Sequence, residues 1–430
     1  MKQSEAIEIM SHQSLLEYFR SLGAHPLHPG VPFEEAAPDI TVATEPCPAE
    51  LLEVIKIDPA QLDEKEDLRL FVDGVQRSAI VFEINVPGRP PVPVVASHIC
   101  VGATNRDSNK LLPRIMNESL LILFPLQALA VVLGPAAPHS LFNIPIPKLD
   151  ENGDFYAKVS TRQLDHRINV FFSDTSKTLE LPPRTSIWDY ELAAIGLVRR
   201  KALDRVREIS RAIELGTVYE LRIKEPNDFV VLDGPLAREM FLMYGRLASV
   251  ELSYLGNLDD ARRSYEFLRR VIGVVKVVSK VPRRGLENAF LPGAIHVPVF
   301  RFKQENGDLD PSLRHVVCCF IWLRPELATS IPLSSSMSGG LTRIDVPIPA
   351  LIDYDKSWRE PDFNLDLSPG SPSRERLERI LRGIISIRFP TPRSTMHRML
   401  VELYPIAETE IWLSSRLLPH EQLRLEVLNL

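Results

Sequence analysis

Apolar and polar positions alternate differently in successive stretches of the chain, and the change of period predicts the elements. From Leu68 the pattern is that of strands. LRLFVDG is an apolar run closing on Asp73-Gly74, and SAIVFEINV (Ser78–Val86) follows after a tight turn. The rigid Pro-Gly-Arg-Pro-Pro segment then leads into VPVVASHICVGA (Val92–Ala103). Three such runs joined by short turns predict an antiparallel meander. From about Ile187 to Leu215 the period becomes helical: the stretch holds no Pro, and Ala194, Ile195, Val198, Ala202, Val206, Ile209 and Ile213 share one face.

Beyond that helix, FVVLDG (Phe229–Gly234) predicts a short strand feeding directly into a helix, PLAREMFLMYGRL, with Pro235 suited to its first turn. VIGVVKVVSK (Val271–Lys280) and HVVCCFIWL (His315–Leu323) are central-strand candidates, and TRIDVPIP (Thr342–Pro349) reads as an edge strand. SRERLERILRGIISI (Ser373–Ile387) is helical, and a last helix is expected from about Ser394 to Leu418. Ahead of all this lies a leader over residues 1–65. It carries a helical spacing of Leu15, Leu16, Phe19 and Leu22, a Pro-rich stretch, and a second amphipathic segment over Pro48–Ile57. The order predicts an α/β fold, a mixed sheet flanked by helices, with one large domain over residues 66–430 behind an N-terminal extension.

Composition narrows the function classes. Of 430 residues, 45% are apolar and 25% charged, which excludes a disordered, collagenous or coiled-coil chain. With 36 Pro against 20 Gly, stiff connections are expected and a simple helical bundle is disfavoured. Lys plus Arg is 50 and Asp plus Glu 56, a net charge of −6, so a polyanionic partner has to be met by a local basic patch. Cys47, Cys100, Cys318 and Cys319 form no CxxC pair, and reduced thiols in a cytoplasmic protein are the expected state. The opening MKQSEAIEIMSHQ has no apolar signal-peptide core. The apolar stretch Leu120–Pro135, broken by Pro125, Gln127 and Gly134, reads as buried structure rather than a membrane span.

Two Asp-Gly pairs carry the candidate chemistry. Asp73 and Asp233 each close an apolar run, and a carboxylate at the C-terminal end of a buried strand projects into the cleft where α/β folds bind ligands. A plain strand-ending turn is the competing reading. Glu191 lies on the apolar stripe of the long helix (Ala194 at i+3, Ile195 at i+4, Val198 at i+7), where a lone carboxylate is costly without a partner. The competing reading there is a first-turn carboxylate favoured by the helix dipole. Glu208 and Glu214 fall with Arg207, Ser210 and Arg211 on what the pattern makes a solvated face. Two strand-end Asp and an inward Glu are the acidic set that holds two divalent cations, Mn²⁺ or Mg²⁺, for phosphodiester hydrolysis.

The motifs FVDG at 71–74, VVLDGPLA at 230–237 and VVSK at 277–280 resemble the NurA family of DNA-repair nucleases. That family closes with a Tyr-Pro pair and a His eight residues after the Tyr; this chain has Phe389-Pro390 and His397, and TRIDVPIP resembles the strand before that motif. The resemblance spans roughly residues 68–415 in patches. It implies an RNase H-like fold and a metal-dependent, preferably manganese-dependent, nuclease that resects DNA ends as a homodimer docked on a hexameric HerA-type ATPase. It matches Asp73 and Asp233 to the metal-binding aspartates and His397 to the C-terminal histidine, as metal ligand or proton shuttle. Glu191 suits the helix face as the helix glutamate, whereas Glu208 suits the family's spacing to the second aspartate. Phe389 in place of Tyr removes a hydroxyl and keeps a ring able to stack on a base.

Lys280 ends the matching VVSK segment and is a candidate phosphate contact, with Lys276 four residues away on the same predicted strand face. Arg283 and Arg284, in a Pro-Arg-Arg-Gly turn, and Arg343 are candidates to extend that patch; ordinary solvent-facing charges are the alternative. His98 and His315 read as structural. SSSMSGG (Ser334–Gly340) lacks the spacing of a phosphate-binding loop, and neither GxSxG nor HExxH occurs. The leading expectation is therefore a DNA end-processing nuclease, in repair or defence against foreign DNA. Its rivals are a catalytically weak subunit that docks on and regulates a DNA-translocating ATPase, and an RNase H-like enzyme acting on RNA or RNA–DNA hybrids. The leader helix is the candidate docking element.

Overall fold

The computed structural model of the chain describes residues 24–26, 45–58, 62–85, 90–108, 110–124, 148–149, 155–156, 162–164, 168–175, 195–236, 268–276, 278, 280–290, 294–310, 313, 316–322, 341–352, 365–388, 390–392 and 401–428. Three strands come first, β1 (Ala24–Pro26), β2 (Glu45–Cys47) and β3 (Ala49–Ile57). The meander follows as β4 (Leu68–Ile84), β5 (Val92–Asp107) and β6 (Lys110–Phe124). It is antiparallel as expected, but its strands are longer than the pattern predicts. Asp73-Gly74 makes no turn: Leu70 through Ile84 stay in register with Val92 through Asn105, with one irregularity at Ile80/Phe82.

Two small strands, β7 (Lys148–Leu149) and β8 (Phe155–Tyr156), form a separate hairpin. Strands β9 (Arg162–Leu164) and β10 (Ile168–Asp174) continue the main sheet beyond β6. The long helix α1 spans Ile195–Lys224, nine residues past the expected end. It closes where the Arg222 guanidinium donates to the carbonyls of Glu225 (3.2 Å), Pro226 (2.8 Å) and Asp228 (3.1 Å). Next come β11 (Phe229–Asp233), β12 (Val271–Val275), β13 (Lys280–Pro282), β14 (Ile295–Phe302), β15 (Val316–Trp322) and β16 (Leu341–Pro347). The chain ends with α2 (Ile348–Leu351), α3 (Pro372–Ser386), the hairpin β17 (Pro390–Pro392) and β18 (Val401–Leu403), α4 (Tyr404–Ser414) and α5 (His420–Leu428).

Among the described residues, twelve strands join one sheet in the order β3-β14-β15-β16-β12-β11-β4-β5-β6-β10-β9, with β1 paired to the far half of β4. At its centre, β6-β5-β4 are antiparallel while β4, β11 and β12 run parallel. This is the mixed α/β sheet flanked by helices that the pattern predicts, with α1 preceding the parallel strands β11 and β12. Side chains alternate between its faces. Leu70, Val72, Val230 and Leu232 pack with Ala202, Val206 and Ile209 of α1, whereas Phe71, Val231 and Val274 pack with Leu377, Ile380 and Ile384 of α3. Helix α3 begins at Ser371, whose hydroxyl accepts from Arg374 N, with Pro372 in the first turn.

Three expectations change. Val271–Lys280 is not one strand, because β12 stops at Val275 and Lys280 opens β13, which pairs with β2 in another sheet; Lys276 and Lys280 therefore do not share a strand face. TRIDVPIP is an interior strand, paired with β15 on one side and β12 on the other; its prolines fall outside the segment that pairs with β12. Pro48–Ile57 supplies β3, paired to β14, with Ile55 and Ile57 buried in the core. The expected leader helix over Ser11–Leu22 and the helix after Pro235 lie outside the described residues. Among the described residues, no helix is long and apolar enough to cross a membrane.

Helix α4 lies on the β4–β5 pair. A Cβ at Gly102 would come within 2.7 Å of both the Trp412 and Leu413 side chains, so the glycine lets these side chains seat against the strand without shifting. The hydroxyls of Thr104 and Thr409 hydrogen-bond at 2.7 Å across the same contact. The turn after α4 is held by buried His98, whose Nδ1 accepts from Leu418 N at 3.1 Å, and by Arg77, which donates to the Leu417 and Leu418 carbonyls. Burial, aided by the Arg77 charge, lowers the His98 pKa to about 4. The unfolded imidazole takes its proton near its ordinary pKa of about 6.5, so this neutral histidine contributes stability above that pH and loses it as pH falls toward the folded value. We expect roughly 2 kcal/mol of unfolding free energy to be lost through this group between pH 7.5 and 5. Denaturant titrations of wild type and His98→Gln check it: the variant should lack that part of the slope.

Candidate active site

Strands β4, β11 and β12 end their parallel pairing at the same level. Val72 is in register with Leu232 and Asp233 with Val274, so Asp73 and Asp233 follow side by side on neighbouring strands about 4.8 Å apart. Alternation puts Asp73 (after Phe71), Asp233 (after Val231) and Lys276 (after Val274) on one face, opposite α1. Asp73 is also the cross-strand partner of Gly102, the residue over which α4 closes. From α4 comes Glu410. The Lys276 ammonium lies 2.9 Å from Asp233 Oδ2 and 3.1 Å from Glu410 Oε2.

The carboxylates are incompletely satisfied. Asp73 is 4% exposed; its Oδ1 accepts from Gly74 N at 2.7 Å, while its Oδ2 and Asp233 Oδ1 are buried with no hydrogen-bond partner among the described residues. Burial, above all, and then the Asp233 charge push the Asp73 carboxyl well above the usual carboxylate range; Lys276 pulls it back, and Glu410 and Glu214 add to the rise. Buried Asp73, inside β4, and half-buried Asp233, at the end of β11, thus lie side by side with open oxygens, an arrangement that costs the fold stability and is typical of sites with perturbed carboxyls.

Helix α1 supports the pair from the other face. A Cβ at Gly74 would fall within 2.3 Å of Glu214 Oε1, which explains the glycine after Asp73 in an extended strand. Arg211 binds Glu214 at 2.5 Å and donates to the carbonyls of Asp233 and, at 2.7 Å, Pro235. Gly234, at φ +93°, makes the turn that the second Asp-Gly pair predicts. Gly273 lets that turn close down, since a Cβ there would meet the Gly234 carbonyl at 2.8 Å.

Of the expected site residues, the structure brings Asp73 and Asp233 together and adds Lys276, expected at the nucleic-acid surface, to the same cluster. Glu191, His397 and Phe389 lie outside the described residues. Glu208 is paired with Arg205 at 3.1 Å. Glu214 is buried, not solvated, because α1 turns Ser210, Glu214 and Thr217 toward the sheet and leaves Arg207 to solvent. Glu410 was missed, although it sits among the buried Ile406, Ala407 and Leu413 of its helix. The spacing argument that singles out Glu191 applies to it equally.

The basic residues are dispersed. Lys280 contacts Asp310 at 3.5 Å, Arg283 pairs with Glu305, and Arg284 is exposed. Arg343 is not available to a phosphate as it stands: it is 5% exposed and holds both oxygens of Asp345, at 2.7 and 2.9 Å. Among the described residues, no three His, Cys, Asp or Glu side chains converge closely enough to hold a metal ion. The open oxygens of Asp73 and Asp233 fit two ligand positions of such a centre.

No protein-family model matches the chain, and no curated protein matches it. Among solved structures it is similar to the crystal structure of the NurA nuclease from Sulfolobus solfataricus, with a TM-score of 0.32 and 9% identity over 86% of this chain and 88% of that one.

Proposed function

We propose that the chain is a metal-dependent nuclease that processes DNA ends. The observation that carries this reading is the pairing of Asp73, inside β4, with Asp233, at the end of the adjacent parallel strand β11, each with a buried, unsatisfied carboxylate oxygen. Mn²⁺ or Mg²⁺ would be held by these two carboxylates, with Glu191 and His397 as the further ligands; when bound it supplies a nucleophilic water at neutral pH and neutralises the phosphate. The chain's own groups do the rest. Arg211 and Glu214 fix the backbone beneath both aspartates, α4 shields Asp73 from bulk water, and the Lys276 ammonium stands ready for a phosphate oxygen. Lys280, Arg283 and Arg284, with the Phe389 ring, would guide the strand.

A homodimer coupled to a HerA-type hexameric ATPase fits the charge balance, since a chain at −6 gains DNA affinity from paired basic surfaces and from a motor that raises local concentration. The deciding experiment incubates purified protein with labelled single-stranded DNA, duplex DNA and an RNA–DNA hybrid, in Mn²⁺, Mg²⁺ or EDTA, with and without such an ATPase. The expected result is Mn²⁺-dependent cleavage of DNA, abolished by EDTA and enhanced by the ATPase. Preference for the hybrid would assign the chain to RNA chemistry. ATPase binding without cleavage in any metal would assign it to docking and regulation.

A further inference from the structure

We infer that Lys276 is a resident counter-ion of the acid site, exchanged for a divalent cation, and that Glu410 is the anchor that receives its ammonium during the exchange. The inference deepens the nuclease reading and rests on it. Three further carboxylates, Asp233, Glu410 and Glu214, stand close enough to Asp73 to raise its pKa, and the Lys276 ammonium lowers it. Buried Asp73 and half-buried Asp233 on adjacent strands repel each other, and their charge is costly away from water unless a cation stands beside them. The Lys276 side chain is 11% exposed and touches Asp233 and Glu410 together, so its ammonium is a single charge shared between a strand-end acid and a helix acid.

The two contacts differ in kind. Asp233 stands beside the buried Asp73 with its side chain 19% exposed, whereas the Glu410 side chain, on α4, is 29% exposed. Lysine is a flexible four-carbon stem carrying a point charge, so it can leave one acid and keep the other without any change in the backbone. A divalent cation drawn to the open oxygens of Asp73 and Asp233 repels the ammonium at Asp233. Glu410 offers it an anchor one hydrogen bond away, in place of expulsion into water.

This arrangement gives Lys276 and Glu410 opposite effects on metal affinity. Lys276→Gln removes the competitor and should tighten Mn²⁺ binding about ten-fold. Glu410→Gln leaves the ammonium with Asp233 as its acidic anchor and should weaken binding by several-fold. In the Lys276→Gln background, Glu410→Gln should change Mn²⁺ affinity little, because its effect runs through the lysine. The readouts are Mn²⁺ titrations by electron paramagnetic resonance or calorimetry, and melting temperatures in EDTA and in Mn²⁺. Lys276→Gln should melt lower than wild type in EDTA and gain more on adding Mn²⁺.

Equal or weaker Mn²⁺ binding by a folded Lys276→Gln protein would overturn the exchange. A Glu410→Gln effect that persists in the double variant would overturn its role as anchor and make it a direct ligand. Lys276→Arg keeps the charge with a stiffer, bulkier head and covers the case in which the glutamine variant fails to fold; it should bind Mn²⁺ more weakly than wild type, and tighter binding would count against the proposal. If the wild-type protein cleaves DNA and these signs are absent, only the exchange fails. If wild type and variants neither bind Mn²⁺ nor cleave, the nuclease reading fails with it.

Discussion

Asp73→Asn and Asp233→Asn should each reduce Mn²⁺-dependent DNA cleavage by at least about a hundred-fold, since each removes the charge of a ligand without changing its volume. Their effects on stability should have opposite signs. Asp73 is buried, repelled by Asp233, and holds its Oδ2 without a partner, so the native state gains by losing this charge. Asn keeps the acceptor for Gly74 N. In EDTA, Asp73→Asn should be more stable than wild type by about 1–2 kcal/mol. Asp233 is paired with Lys276, and Asp233→Asn leaves that largely buried ammonium with Glu410 as its acid, at a cost of about 1–2 kcal/mol. Cleavage assays alongside denaturant unfolding check both parts. Wild-type cleavage by either variant would sink the assignment of the acid pair, and a destabilised Asp73→Asn would show that its carboxylate is structural.

Arg343→Leu should be the most destabilising single change outside the hydrophobic core, by about 3–5 kcal/mol. The guanidinium and Asp345 are nearly solvent-free, at 6% and 0% side-chain exposure, and Asp345 Oδ2 also accepts from Leu236 N at 3.2 Å. Removing the arginine strands a buried carboxylate that ties β16 to the turn after Asp233. A double replacement, Arg343→Leu with Asp345→Leu, should recover most of the loss, because the desolvation cost of both charges goes with them. A residue that met phosphates from the surface would behave otherwise: its loss would lower the salt dependence of DNA binding and leave stability near wild type. Unfolding curves and salt-dependent DNA titrations on the three proteins separate these outcomes.

The sequence by itself determined the class of fold and singled out Asp73 and Asp233, which the sheet brings side by side. Runs such as VVLDG and the 3.6-residue stripe of α1 are local properties, set by strand and helix periods and by the φ freedom of Gly234, so they survive into the structure unchanged. It could not show that Asp73-Gly74 lies inside a continuous strand. The glycine there serves an approach by Glu214, a residue 140 positions away in sequence, and no local pattern distinguishes that need from a turn. The same limit hid the edge of the sheet. Prolines in TRIDVPIP suggest an unpaired side, yet pairing with β12 involves only Arg343, Ile344 and Asp345 and leaves the prolines out of that pairing, while Pro347 faces Val316 of β15. Charge was the least legible property of all. Glu214, on a polar-looking helix face, reads as solvated, and Arg343 and Lys276 read as candidate phosphate contacts at the surface, yet all three are drawn into ion pairs against the sheet. Whether a charge meets water or an opposite charge depends on what packs over it, and that was decided only when α1, α4 and β16 closed on the sheet.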